Sequence, residues 1–283
     1  MLFVALAGLS GLVWGVGDFA GGKATQTAGA LPVAVLSKLF SLPLLVLYLA
    51  LFSVAPNSAS LAWGALSGAV GMVGVVLFYQ ALSGGAMTVV APVTAVTSAA
   101  IPVAVGLLSG ERPGGVRLIG VLCALVAIAL VSLAPGRPGS PTVVTGRLIG
   151  VAVAAGVGFA LFFVFLAMAG DAARGDAGMW PIGTAQLAAL LLGGLLLALT
   201  RADGWPRNRA VGWSLLAGPF DMTANAIFLV ASQRGDLSLV APLAALYPVT
   251  TVVLALLVDH ERLRGVQVVG LVLALVALLL VSR

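Results

Sequence analysis

Three ionisable side chains fall well inside long apolar stretches of this chain: Asp18, Lys38 and Asp221. A charge at membrane depth costs about 2.5–3.5 kcal/mol on insertion scales, so it marks a task and requires a partner or a wet cavity. Asp221 is the deepest, and Asn225 follows one helical turn later on the same face. A carboxyl so placed either binds a polar solute and carries a proton between two aqueous sides, or bonds structurally to a neighbouring helix. Asp18 and Lys38 stand at similar depth on the two arms of a hairpin. They form an ion pair or hold an anionic group, and a cavity-facing Lys38 suits a carboxylate-bearing solute. Lys38 is also the cation within the spans that Asp221 can meet.

Uncharged polar groups extend the set. Thr94, Thr97 and Ser98 share a stripe, and Tyr247 occupies the position equivalent to Thr97 in the second half of the chain. They face a central cavity or serve contacts between helices, and Trp14 has the same two readings. Gln80 and Gln186 read as hydrogen-bonders between helices. The candidate solute-binding residues are therefore Trp14, Asp18, Lys38, Thr94, Thr97, Asp221, Asn225 and Tyr247, with Asp221 the candidate proton carrier.

Other chemistries lack their residues. Cys123 is the single cysteine and lies in an apolar run, where a thiolate would be desolvated. His260 is the single histidine, so no two-histidine metal site exists. Residues 17–24 approach a phosphate-binding loop but lack its final Ser or Thr, and an apolar span precedes them rather than a strand. The Arg-Gly-Asp triplets at 174–176 and 234–236 are short polar connectors. No Ser–His, Cys–His or paired-aspartate arrangement supports an intramembrane enzyme. Neither a catalytic residue nor a cofactor is assigned.

The elements that carry these residues follow from composition. The chain is 61% hydrophobic and 8% charged, whereas a soluble domain is about a quarter charged. Lipid is the solvent that such a chain suits. Its 36 glycines fit closely packed transmembrane helices. The net charge of +5 comes from cations placed singly or in pairs in connectors, such as Arg112, Arg147, Arg207 and Arg264. Nucleic acid would require them clustered on one face, so they read as interfacial anchors. Apolar stretches near 2–22, 31–52, 60–81, 87–108, 115–134, 148–169, 179–199, 211–232, 237–258 and 263–282 predict an all-α membrane protein of ten spans. Pro92 and Pro102 should bend the fourth span, and Pro242 and Pro248 the ninth. The first stretch lacks a basic leader and a cleavage site, so it reads as a span.

Shifting the chain by 150 residues superimposes its halves. Trp63 falls on Trp213, Gly68 on Gly218, Met72 on Met222 and Phe78 on Phe228. Val90-Ala91-Pro92 falls on Val240-Ala241-Pro242, Glu111-Arg112 on Glu261-Arg262, and Gly120 on Gly270. Biased composition matches Ala, Val and Leu by chance, but not these residues in one ungapped register. Two units are expected, at 1–134 and 148–283, each with five spans. An odd count turns the second unit upside down, which is the inverted repeat that secondary transporters use around a midplane solute site. The cavity should be walled by spans one, three, four, six, eight and nine, with the aliphatic spans five and ten outside it.

Leu12-Val13-Trp14-Gly15, the lone Lys38 of span two, the passage from Phe78 to Arg112 and the span after it, repeated from Phe228 through Ser282, resemble the EamA-type drug/metabolite transporters. The resemblance implies ten spans in two inverted units and the movement of amino acids, other metabolites or drugs, usually by export, across the plasma membrane. The partners it implies are a small solute and the bilayer, and the oligomeric state is left open, a monomer being compatible. A lipid or glycolipid flippase on the same fold is the alternative. Phe162-Phe163 stands where a second Trp is expected, and the connector at 53–60 lacks the usual basic residues. The resemblance places both termini in the cytoplasm. The positive-inside rule opposes this, since five Lys and Arg then lie inside and eight outside.

Overall fold

The computed structural model describes residues 1–52, 54–83, 87–133, 145–173, 176–200, 204–258 and 264–283. Arg137, Arg174, Arg201, His260, Glu261 and Arg262 lie outside the described residues, as does the side chain of Gln80. The described residues form helices and no strand: α1 (Leu2–Thr25), α2 (Ala30–Phe40), α3 (Leu42–Leu51), α4 (Ser58–Ser83), α5 (Met87–Leu108), α6 (Gly115–Val131), α7 (Gly146–Ala172), α8 (Trp180–Thr200), α9 (Arg209–Ser232), α10 (Leu237–Ala244), α11 (Tyr247–Val258) and α12 (Gly265–Val281). Helices α2 with α3, and α10 with α11, each make one broken span, so the ten expected stretches are all helical. Eight are long and apolar enough to cross a bilayer. The other two, α6 and α12, have 17 residues each, about 26 Å of helix against about 30 Å of hydrocarbon. This is a multi-pass membrane protein.

The outward faces are leucine stripes. On α8, Leu187, Leu191, Leu195 and Leu199 are all exposed at four-residue spacing, while Gln186, Ala189 and Gly193 are buried behind them. In a bilayer those leucines meet acyl chains, so exposure carries no hydrophobic cost.

Small residues decide which helices touch. Helices α4 and α7 run antiparallel in contact, Trp63 stacking near Phe165 and Phe78 near Phe159. Helices α1 and α9 do the same, with Phe19 near Trp213 and Trp14 near Phe228. At the α6–α12 seam the contacts are reciprocal. A Cβ on Gly120 would meet Val281 Cγ2 at 2.8 Å and Leu280 Cβ at 3.0 Å, and one on Gly270 would meet Val131 Cγ2 at 2.7 Å and Leu130 Cβ at 3.0 Å. The start of each helix meets the end of the other, so this pair is antiparallel.

The prolines differ in their effect. Helix α5 continues through Pro92 and Pro102. The ninth span breaks instead at Ala245-Leu246, just before the residues around Pro248. The second span also breaks, at Ser41 ahead of Pro43, which the sequence reading did not foresee.

Glu111 has a role beyond marking the repeat. It follows α5 and accepts from both backbone donors at the start of α10, Oε1 from Leu237 N and Oε2 from Ser238 N, each at 2.8 Å. Gly106 leaves room for that carboxylate, which a side chain there would overlap. A carboxylate on the positive end of a helix satisfies donors that the helix itself cannot. Glu111→Ala is expected to cost about 1–3 kcal/mol, read as a lower melting temperature in detergent, with Glu111→Gln losing less.

Candidate functional site

Helical phase decides where the midspan charges point. On α1, Leu9 and Leu12 are exposed on the outer face. At about 100° per residue, Asp18 lies half a turn around from Leu9, pointing into the molecule. It is nevertheless exposed, so it lines an internal space rather than a packed core. Gly22, one turn on along the same stripe, is also exposed, and a Cβ there would meet nothing within 4 Å. On α9, Leu215 and Leu216 are exposed, and Asp221 lies on the opposite face.

The three charges and their neighbours converge there. Lys38 Nζ stands 2.5 Å from Asp221 Oδ2, their side chains 24% and 35% accessible. Asn225 Nδ2 donates to the same oxygen at 3.1 Å. Gly17 packs within 3.4 Å of the Asp221 backbone, as measured from an added Cβ. That contact brings the neighbouring Asp18 close enough to interact with both members of the pair. The cation therefore pairs with Asp221 rather than with its hairpin neighbour Asp18. The reason is helix order: α2 packs on α9, and Gly218 admits the Ser37 carbonyl at that crossing.

Lys38 is held by the break beside it. Ending α2 at Phe40 leaves the Lys38 carbonyl without its helical donor, and Gln186 Nε2 from α8 supplies one at 2.6 Å. Ser41 Oγ adds a second donor at 2.8 Å and accepts from Gln186 at 2.6 Å. Gln186 is thus the interhelical bonder expected of it. Nearby, the Tyr48 and Thr223 hydroxyls meet at 3.0 Å. Sequence reasoning missed Ser41, Tyr48 and Thr223. Pro43 was the available signal for the break, since it removes the donor due to Leu39.

Tyr247 stands at the α10–α11 break, its hydroxyl against Ser98 and within electrostatic reach of Asp18. Trp14 is 7% exposed and packs with Phe162, Phe163 and Phe228 at centroid distances of 6.3, 5.3 and 5.7 Å. This cluster forms a floor one turn from Asp18. Thr94 and Thr97 do not join. Thr94 is buried and donates to the Ala152 carbonyl at 3.0 Å, while Thr97 donates to Val93 at 2.7 Å and seats against Gly156. Both serve the α5–α7 contact, the second of their two readings.

The walls differ from expectation accordingly. Spans one, six, eight and nine contribute, six through Phe162 and Phe163 of the floor, but Lys38 brings in span two and Gln186 supports it from span seven. None of the grouped residues comes from α6 or α12. Burial around the group is also one-sided. Helix α10 buries Ser238 through Ala244, whereas α11, the other half of that span, buries no residue. The aromatic floor and α10 are buried on the Met1 side of the charged group, whereas Gly22 and Gln26 are exposed on the other side of it along α1. At that same end a cleft of about 270 Å³, lined by Lys23, Gln26, Thr27, Arg209, Trp213 and Val258, is separate and shares no residue with the charged group. Among the described residues no cluster of His, Cys, Asp and Glu could hold a metal ion.

Comparison with known proteins gives three findings. A crystal structure at 16% sequence identity superposes with a TM-score of 0.79 over 99% of this chain and 96% of its own, which shows a shared fold. No functionally curated protein matches the chain significantly. The model of the EamA-like transporter family matches residues 1–133 and 144–283.

Proposed function

The chain belongs to the EamA-like transporter family, and from that premise we propose that it is a secondary active exporter of a small metabolite or drug in the plasma membrane. The observation that carries this reading is the Asp18–Lys38–Asp221 group, turned away from the outer leucine faces yet partly accessible, with buried packing on its Met1 side. A transporter needs such a site and a second state in which the closures exchange. Two inverted units, residues 1–134 and 148–283, supply that second state by swapping conformations. The reciprocal contacts of the antiparallel α6–α12 pair support the inversion. Two helices related by a twofold axis run antiparallel in a bilayer when that axis lies in the membrane plane. Asp221 is the proton carrier of this reading. Protonation releases Lys38, and deprotonation recaptures it, so the pair couples a proton to the opening of the chamber.

The test begins with a thermal-shift screen of the purified protein against amino acids, nucleosides and sugars, since a ligand that binds only the folded state raises its melting temperature. The compound with the largest shift is then loaded into proteoliposomes with an imposed pH gradient. The expected result is protein-dependent flux that collapses with a protonophore. Flux no greater than in protein-free vesicles would remove the transport reading, and flux indifferent to the gradient would remove the proton.

A further inference from the structure

The chamber has more acceptors than donors and more negative charge than positive. Asp221 Oδ2 takes both the Lys38 ammonium and the Asn225 amide. Asn225 Oδ1 is buried without a partner, in a residue only 5% exposed. Asp18 is exposed to the chamber, and no hydrogen bond or ion pair engages it among the described residues. Two carboxylates against one ammonium leave one uncompensated negative charge. A ligand suited to these groups brings positive charge and several N–H donors, which a primary ammonium has and a carboxylate lacks. Lys38, the group that would draw an anion, is already neutralised by Asp221.

The floor specifies the rest of the ligand. Trp14 lies one turn below Asp18 on the same stripe, and Phe228 lies one turn below Asn225 on α9, with Phe162 and Phe163 between them. Trp14, Phe163 and Phe228 are themselves buried, so the floor is an apolar base rather than a set of open ring faces, and it suits the apolar end of a ligand. We propose that the chamber binds a primary ammonium carried on an apolar body, with Asp18 as its counter-ion. This rests on the transport reading for its setting, but the ligand chemistry is testable by binding alone.

Three compounds of one shape separate the charges: 2-phenylethylamine, 2-phenylethanol and 3-phenylpropionate, cation, neutral and anion at neutral pH. Each is titrated calorimetrically into the full-length protein in phosphatidylcholine nanodiscs, with empty discs subtracted. The amine is expected to bind at least about tenfold more tightly than the alcohol, one decade being about 1.4 kcal/mol, and the carboxylate more weakly than either. Asp18→Asn should bring the amine down to the level of the alcohol and leave the alcohol unchanged, while Asp18→Glu keeps the preference. A melting temperature for Asp18→Asn near that of the parent shows that the fold is intact, and loss of the alcohol's binding as well would report a collapsed chamber. Should Asp18→Asn fail to fold, Asp18→Ser takes its place with the same expected loss of preference, and a preference kept without the carboxylate overturns the proposal. Equal binding of the three compounds, no binding of the amine, or tightest binding of the carboxylate overturns the proposal. Counterflow of labelled amine in proteoliposomes then separates the two readings. Binding without counterflow sinks transport and leaves the charge selection standing, whereas counterflow of the carboxylate without amine binding does the reverse.

Discussion

Asp221→Asn is expected to yield a folded, membrane-inserted protein that no longer moves solute in response to a pH gradient. An asparagine at 221 keeps an acceptor oxygen for Asn225 and nearly the same volume, so the α1–α9 packing is preserved. What is lost is the charge that neutralises Lys38 and the group that takes up the proton. The stability cost lies between two limits. Exposed ion pairs contribute about 0–1 kcal/mol, and breaking a buried pair costs about 3–5 kcal/mol by stranding the remaining charge. With side chains 24% and 35% accessible, the chamber hydrates the stranded ammonium, and about 1–3 kcal/mol is the expected loss. Lys38→Met should cost a similar amount, because it strands Asp221. The double change Lys38→Met with Asp221→Asn should recover much of the stability, since residues in contact couple. It should recover none of the gradient response. Parent-like flux in Asp221→Asn across the same gradient would reduce Asp221 to a structural hydrogen-bonder and leave coupling to another group.

The fold was legible because lipid imposes a simple rule. Each stretch long enough to span is apolar and helical, and all ten expected stretches are helices. The repeat register also carried structural content: Gly120 and Gly270 were paired by sequence alone and occupy matching seats on α12 and α6. The breaks were less legible. Pro92 and Pro102 sit inside a continuous helix, while spans two and nine break near Pro43 and Pro248. A proline removes one backbone bond wherever it falls. Where the chain does break, a neighbouring helix supplies a donor to a carbonyl left free, as Gln186 does for Lys38.

The site was half legible for a related reason. Depth in an apolar run singled out Asp18, Lys38 and Asp221, and one-turn spacing joined Asn225 to Asp221. Depth alone could not choose the partner of Lys38. Hairpin proximity favoured Asp18, but the pairing follows the long-range α2–α9 contact. Thr94 and Thr97 kept two readings because a hydroxyl that bonds a backbone carbonyl looks, in sequence, like one that faces a solute. Both readings place a small polar residue on an inward face, and only the neighbouring helix distinguishes them.

That same α2–α9 crossing gives the other large expected effect. Gly218→Ala should destabilise the protein by more than about 3 kcal/mol, beyond the usual range for overpacking. The added methyl would overlap the Ser37 carbonyl and approach the Ser41 backbone nitrogen to 3.2 Å. Backbone atoms have no alternative rotamer, so α2 has to move away from α9 as a whole. Ser37 precedes Lys38 and Gly218 lies three residues before Asp221, so the displacement also pulls apart the pair described above. Gly68→Ala, the repeat-equivalent change, should act similarly at the α4–α8 crossing, where the methyl would overlap the Ala185 carbonyl beside Gln186. The matched control is Gly150→Ala on α7, where a Cβ meets nothing within 4 Å. An exposed helical glycine replaced by alanine gains up to about 1 kcal/mol from propensity. Melting temperature and the monodisperse fraction after detergent extraction measure all three changes. The expected order is Gly150→Ala at or above the parent, with Gly218→Ala and Gly68→Ala far below or not recovered. Should Gly218→Ala melt with the Gly150→Ala control, α2 and α9 cannot be as close as the Lys38–Asp221 pairing requires.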